Sequence, residues 1–491
     1  MKKAVVTLLG MISHSKLDYI SVDGEVKKIF IDIPEKERAK YSFSENLNEF
    51  SEKLSNTRYI NTLPLLIDGF SDREIIPIAT QKAKDIQEKT LNFLKINKSC
   101  LDNTVIINES KYEEIFQQIS ELLQNDEYES FIIDLTHGFR HLPILMIVNL
   151  IIASMKENDK IEHIFFAKEI ISMKEYKIID LLDYIGLAKL SFVLENFNTN
   201  YTVGNKLIFR NKNYQELVDN LRIISGHILA NSIKALIDGD NNLIKLTIEK
   251  LQKLQEDDIK VETFSNSINN IIEHLEKIEI LGDEEDYIRL FRFAKVMQKR
   301  DYLLNSITLL NESVGMFCVR KLKNMGNLTL QYIENYQEKI TKAKTDEDKK
   351  EFNIYKLSHQ SKNIIKLKNG FKGNFLLSSP AEKKEILQNL NGQNNTNLIT
   401  IIKNIEDLRN NLAHGNSSDG VKNVKHKIST LLREYQKLAQ ISNSIDLKEK
   451  ENEFKKKELE KTKNPKVKII PTGIDAPEAK VNDLENMFNN R

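Results

Sequence analysis

The chain has 491 residues, and 72 Lys and Arg against 71 Asp and Glu leave a formal net charge of +1. That length gives room for two or three domains, and the near-neutral balance excludes a basic coat for nucleic acid along the whole sequence while leaving a local basic site open. Cys100 and Cys318 lie far apart without metal-ligand spacing, the apolar run over 4–9 is too brief for a signal peptide, and the longest apolar run, 142–153, is too short for a membrane span; the chain reads as soluble, reduced and cytoplasmic, with no membrane partner.

Residues 4–9 (AVVTLL) predict a strand that ends at Gly10 and opens into a polar loop containing His14. Residues 19–22 and 27–33 flank Asp23-Gly24, a turn pair that predicts a β-hairpin. Residues 75–79 predict another strand, with Thr80 as N-cap of a helix over 81–94. Pro77 argues for an edge position there, since proline cannot donate to a ladder. Strands over 104–107 and 131–135 flank a helix over 112–123, and a buried apolar helix over 142–156 leads to a strand over 161–166. This alternation predicts an α/β layer with mostly parallel pairing. Beyond about residue 205 the strand signal stops. Apolar residues over 214–280 and 285–324 recur at helical spacing, as at Leu243, Leu246, Leu251 and Leu254, so the second half predicts all-α. Residues 338–351 are charged without an apolar face and read as an exposed extension or loop. Residues 441–491 are charged, carry Pro465, Pro471 and Pro477, and read as a disordered tail whose lysines are a solvated face.

Within this frame the run from Phe131 to Arg140, FIIDLTHGFR, passes from an apolar strand directly into a turn holding Asp134, Thr136, His137, Gly138 and Arg140. In an open α/β sheet, ligands bind outside the carboxyl ends of the strands. A glycine among polar groups lets backbone N–H groups approach a phosphate or a base. An ordinary strand-to-helix turn with capping residues fits the same residues. The loop after residues 4–9 has the same strand-then-polar form, so both loops are expected to face one crevice. His163, His227, His274, His359 and His426 stand singly, and HExxH and Cys/His clusters are absent, so no metal site is expected. GxGxxG and GxxxxGK[ST] are absent as well, which counts against a nicotinamide or ATP enzyme.

Asp134-Leu135-Thr136-His137-Gly138 resembles the DxTHG signature of CRISPR-associated proteins whose N-terminal domain is a Rossmann-like CARF domain. The resemblance runs from Val5 to about Asn205, through FRHLP at 139–143, IEHIFFAKE at 161–169 and IIDLLDYIGLAKLSFVLENF at 178–197. It implies that residues 1–205 sense cyclic oligoadenylate, the second messenger of type III CRISPR systems, as the tetra- or hexa-adenylate. The implied contacts are Leu9, Gly10, Met11, His14, Thr136, His137, Gly138 and Arg140.

A second set of residues lies near the other end. Leu398, Ile401, Ile402, Ile405, Leu408 and Leu412 form one apolar helical stripe, with Thr396 or Asn397 available as N-cap and Gly415 as the stop. The last turns read Arg409-Asn410-Asn411-Leu412-Ala413-His414. Residues five apart on a straight helix point about 140° apart, a gap that a long arginine can narrow. An arginine offers a forked cation to a scissile phosphate, and a histidine can move a proton near neutrality. RNA brings its own 2′-hydroxyl nucleophile, so this chemistry needs no metal. A surface ion-pairing arginine and a histidine partnering the helix dipole fit the same residues.

Arg409, Asn410 and His414 also resemble the HEPN ribonuclease motif, in which an arginine is followed by a polar residue and, four to six residues on, by a histidine. Arg222 and His227 share the spacing, but Ile223 follows the arginine in an apolar segment, and that pair reads as structural. The HEPN likeness covers about 285–440 and implies a pocket made by two motifs across a two-fold axis, cutting single-stranded RNA to a 2′,3′-cyclic phosphate and a 5′-hydroxyl. Arg409 would hold the phosphate, His414 would exchange or orient protons, and Asn410 would position groups. The expected organisation is a Rossmann-like CARF domain over 1–205, a helical connector over 206–284, an all-α HEPN domain over 285–440 and the tail. The expected activity is a metal-independent, cofactor-free endoribonuclease, assembled as a homodimer or larger and switched on by cyclic oligoadenylate. The alternatives are a ring nuclease that cuts its activator in the first domain, with His137 and Thr136 as suspects, and a non-catalytic sensor.

Overall fold

The first apolar runs lie side by side in a mixed sheet. The computed structural model describes residues 1–10, 16–22, 25–31, 38–54, 57–108, 110–138, 141–155, 160–204, 207–238, 242–367, 384, 387–390 and 395–442. The strands are β1 (Lys2–Leu8), β2 (Lys16–Val22), β3 (Glu25–Ile31), β4 (Ala39–Phe43), β5 (Arg58–Tyr59), β6 (Glu74–Ala79), β7 (Val105–Ile106), β8 (Tyr128–Asp134), β9 (Ile161–Ile171) and β10 (Glu175–Asp180). Eight of them form one sheet in the order β5-β4-β10-β9-β8-β1-β6-β7, and β2 and β3 pair separately as an antiparallel hairpin. The run from β9 through β8, β1 and β6 to β7 is parallel throughout, whereas β10 is antiparallel to β9. The hairpin is the expected one, although its Asp23-Gly24 turn lies outside the described residues.

Alternation along the strands feeds two cores. Val5, Ile75, Ile132 and Phe165 face the Thr62–Gly69 and Gln81–Leu94 helices. Ala4, Val6, Ile76, Phe131 and Ile133 face the Tyr112–Gln124 and His141–Ser154 helices. Burial on both faces explains why these strands read as continuous apolar runs rather than alternating ones. Thr80 caps its helix as expected, its hydroxyl accepting from the Ala83 N–H at 3.3 Å.

Three expectations need correction. Pro77 is not on the outermost strand, because β7 lies beyond β6; but the Ile78 carbonyl points to β1 and the Ala79 carbonyl to β7, so by alternation the Pro77 nitrogen points to the β7 side, where β7 pairs only with Ile78 and Ala79 and the missing N–H breaks no ladder bond. Residues 338–351 are largely exposed, as expected of an extension, but mostly helical rather than a loop. The Asn327–Lys342 helix takes in the first of them, and a Thr345/Asp348 capping box starts a short helix at Asp346, so local helix signals suffice without an apolar face. The His141–Ser154 helix is buried only on one side: Leu142, Met146 and Leu150 are in the core, while Ile144, Val148 and Ile152 are exposed.

From Leu190 to Ile441 one apolar core joins the helices that follow the sheet. The Leu182–Asn200 helix bridges the halves. At its start, Asp180 accepts from the Leu182 and Ile164 N–H groups at 2.9 Å and lies 2.7 Å from His163 Nδ1. At its end, Arg300 donates to the Asn198 carbonyl at 3.1 Å and sits 4.2 Å from the centre of the Tyr201 ring, while the Tyr302 hydroxyl donates to the Asn200 carbonyl. The loop before the Leu303–Lys323 helix thereby satisfies carbonyls that a helix end leaves open. Arg222 also serves structure, donating to the Gly204 and Leu207 carbonyls.

Tyr201 is hydrogen-bonded through its hydroxyl to His274, whose imidazole burial, helped by Arg300, pushes down to about 4. An unfolded histidine protonates near 6.5. Between these values the unfolded chain binds the extra proton, so this group favours unfolding as pH falls from about 6.5 toward 4, by about 3 kcal/mol at the lower end. Denaturant melts at pH 7 and pH 5 will show a loss of stability that shrinks in His274→Gln; equal slopes in both proteins would remove His274 from the junction's acid sensitivity.

Candidate functional site

Within the parallel part of the sheet, β6 and β7 lie on one side of β1 and β8 and β9 on the other, so strand order reverses between β1 and β8. Ligand crevices form at such switch points. The two loops leaving these strands meet there: a methyl group on Gly10 would lie 2.9 Å from the Gly138 nitrogen, and Gly138 has φ +104, a conformation that favours glycine. The two loops thus meet at their glycines, at the carboxyl ends of β1 and β8. Met11, His14 and Arg140 lie outside the described residues.

Asp134 ties this corner together. It is 1% exposed. One carboxylate oxygen accepts from the Thr7 and Thr62 hydroxyls at 2.8 and 2.9 Å, and the other from the Thr136 hydroxyl and N–H at 2.6 and 3.1 Å. The Thr136 hydroxyl in turn accepts from the Ala167 N–H at 3.0 Å, which joins β8 to β9. Asp134 therefore positions the turn and does not face a ligand, and the Thr136 hydroxyl proton is committed to it. His137 is half-buried, and its Nε2 lies 3.5 Å from the N–H of Thr62, at the start of the Thr62–Gly69 helix. Leu9 sends its side chain into the core, with its N–H on the Ile78 carbonyl at 2.9 Å, so Gly10 is the first residue of its loop to reach the crevice. Thr7, Thr62 and Ala167 were not legible in the sequence. For Thr62, the pair Asn61-Thr62 before the apolar LPLL was the available signal, and Asn61 does cap that helix by accepting from the Leu63 N–H.

The second set of residues stands on the Thr396–Ala413 helix. Its N-cap is Asn395 rather than Thr396 or Asn397, and no side chain caps it; Thr396 is already helical, and its neighbours enter the core with Leu398 and Ile399. The other end is as expected. His414 is the C-cap and Gly415 is left-handed at φ +67, with the Gly415 N–H on the Leu412 carbonyl and the Asn416 N–H on the Asn411 carbonyl. That pattern is a Schellman stop. It leaves His414 and Asn410 exposed while Ile405 and Leu408 stay buried.

Arg409 is half-buried. Its Nη1 is 3.2 Å from Asn410 Oδ1, and its buried Nε has no partner among the described residues. Behind it lies a set of buried charges that sequence periodicity does not reveal. Lys362 Nζ donates to Asn311 Oδ1 at 2.7 Å and lies 3.7 Å from Glu406, and Lys366 is 2.8 Å from Glu406. Burial pushes the Glu312 carboxyl up and the Lys362 ammonium down, and the Arg409 charge pulls Glu312 partly back. Arg409 is thus held on the protein by Asn410 alone among the hydrogen bonds of the described residues, and lies close enough to this charged group to act on Glu312. No hydrogen bond joins Arg409 to His414 within the chain. Among the described residues no group of three or more His, Cys, Asp or Glu is placed to hold a metal ion, and no helix is long and apolar enough to cross a membrane.

No protein-family model and no curated protein matches the chain. Among solved structures it is similar to Enterococcus italicus Csm6 bound to cyclic hexa-2'-fluoro-hexa-dAMP, at 15% identity over 88% of this chain and 93% of that one, with a TM-score of 0.28.

Proposed function

We propose that the chain is a cyclic oligoadenylate-activated endoribonuclease that works as a homodimer and cuts single-stranded RNA without a metal. The observation that carries this reading is the placement of Arg409, Asn410 and His414 at a glycine-terminated helix end whose apolar stripe, Leu398 to Leu408, is anchored in the core. A half-buried arginine can stabilise a phosphorane's charge, and an exposed histidine can transfer protons to or from the attacking and leaving oxygens. Because the two side chains do not meet within one chain, a second copy across a two-fold axis would complete the pocket.

The glycine-bordered crevice between β1 and β8 would take the activator, its backbone N–H groups meeting phosphates or bases. Activation then requires that the ligand bind the cutting arrangement of the dimer more tightly than the resting one. The exposed Ile144, Val148 and Ile152 support a dimer seam beside that crevice, since a helix apolar on all sides is ordinarily covered on all sides. Ile144→Asp with Val148→Asp will turn the dimer into a monomer by light scattering and remove activated cleavage; a dimer that persists would place the seam elsewhere.

The decisive experiment is cleavage of a fluorescent RNA with a panel of cyclic adenylates of different ring size, with and without EDTA. Cleavage that depends on one ring and survives EDTA is expected. RNA left intact by every ring, with tight binding of one of them, would convert the protein into a sensor. Loss of the ring itself in an Arg409→Ala, His414→Ala protein would place chemistry in the first crevice, although the committed Thr136 proton weighs against that residue as its agent.

A further inference from the structure

The Schellman turn that exposes His414 also shapes one wall of a cavity. Between the Thr396–Ala413 and Val421–Leu438 helices lies an open space of about 520 Å³, within the ~300–1,000 Å³ range of small-ligand pockets. Asn404, Asp407 and Asn411 line it from the first helix and His426, Thr430 and Glu434 from the second, each set spaced along one helix face. Its floor is apolar, from Leu408 and Leu431, both under a tenth exposed. His414 follows Asn411 by three residues and so borders this face, whereas Arg409 points to the opposite side of the helix.

We infer that this cavity is a nucleobase subsite, and that it selects bases carrying an exocyclic amino group. The inference rests on the ribonuclease reading above. Charge decides which part of RNA fits: Asp407 and Glu434 bring two carboxylates, and Lys427 is already neutralised by Asp419 at 2.5 Å, so a phosphate is repelled. The flat leucine floor suits a ring face, and the carboxylate and amide oxygens above it accept from an amino group. Cytosine offers that amino group at the position where uracil offers a carbonyl oxygen. A base held here, with its phosphate reaching toward His414, would set where the strand is cut.

The test uses full-length protein and two readouts. Binding is measured by anisotropy with fluorescein-labelled hexacytidylate and hexauridylate on Arg409→Ala, alone and combined with Asp407→Asn. Cut sites are mapped on an RNA pool of mixed sequence, with wild type and with Asp407→Asn. Hexacytidylate should bind about tenfold more tightly than hexauridylate, and Asp407→Asn should remove most of that difference and flatten the base preference at the cut site. Equal binding of the two oligomers, or a preference unchanged in both Asp407→Asn and Glu434→Gln, overturns the subsite. Cutting without base preference removes the subsite and keeps the ribonuclease; base-selective binding that depends on Asp407 in a protein that cuts no RNA keeps the subsite and removes the ribonuclease.

Discussion

His414→Ala will lower activated RNA cleavage by roughly 10²–10⁴-fold while leaving the fold as it is. His414 is exposed and contributes only backbone hydrogen bonds to its helix end, its N–H lying on the Asn410 carbonyl at 3.0 Å, so an alanine keeps the Schellman turn. Arg409 is a different case, since it is half-buried and its charge acts on the buried Glu312. Arg409→Ala will cost a little stability as well as activity, because a half-buried side chain is truncated and Glu312 loses the weaker of its two cationic influences, Lys362 being the stronger. Arg409→Lys restores the charge without the fork that grips two phosphate oxygens. It is expected to melt close to wild type and still to cut poorly. Thermal melts and saturated-activator rates on the three variants check this; cleavage within a few-fold of wild type in His414→Ala would remove the histidine from the chemistry.

What could be read from the sequence follows from where each signal originates. Local devices were legible: Thr80 as a cap, Gly415 as a stop and the pairing of β2 with β3 all follow from a few adjacent residues. Strands that are buried on both faces announce themselves as apolar runs, as β1 and β8 do. β4 was missed although AKYSF alternates apolar and polar residues, the pattern of a half-buried strand, because five positions are a short window; β10 was missed because EYKIID is mostly half-exposed. The crevice was half legible. The glycine-bearing turns could be seen, but Thr7 and Thr62 reach Asp134 from 127 and 72 residues away, and only the sheet brings them there. The same holds behind the second site, where Lys362, Lys366 and Glu406 occupy helix faces that periodicity assigns simply to the polar side.

Asp134→Ala is expected to be among the most damaging single changes in the first half, at about 3–5 kcal/mol, and to abolish binding of the activator. The carboxylate accepts four hydrogen bonds from three separate segments, and removing it leaves two buried threonine hydroxyls and the Thr136 N–H without an acceptor. The Gly10 and Gly138 loops would then lose the corner that fixes their spacing. Asp134→Asn separates this positioning role from a need for charge. Its amide oxygen can still receive the Thr136 N–H, and its NH₂ can donate to the Thr7 and Thr62 hydroxyls, which are free to rotate. The asparagine protein should therefore fold, melt only modestly earlier and bind cyclic oligoadenylate within about tenfold of wild type, the loss expected when charge-assisted bonds become neutral ones. Melting curves and calorimetric titration of the two variants decide between the roles. An alanine protein with wild-type stability would mean that Asp134 holds nothing together, and an asparagine protein that folds normally yet binds no ligand would mean that the crevice needs the charge itself.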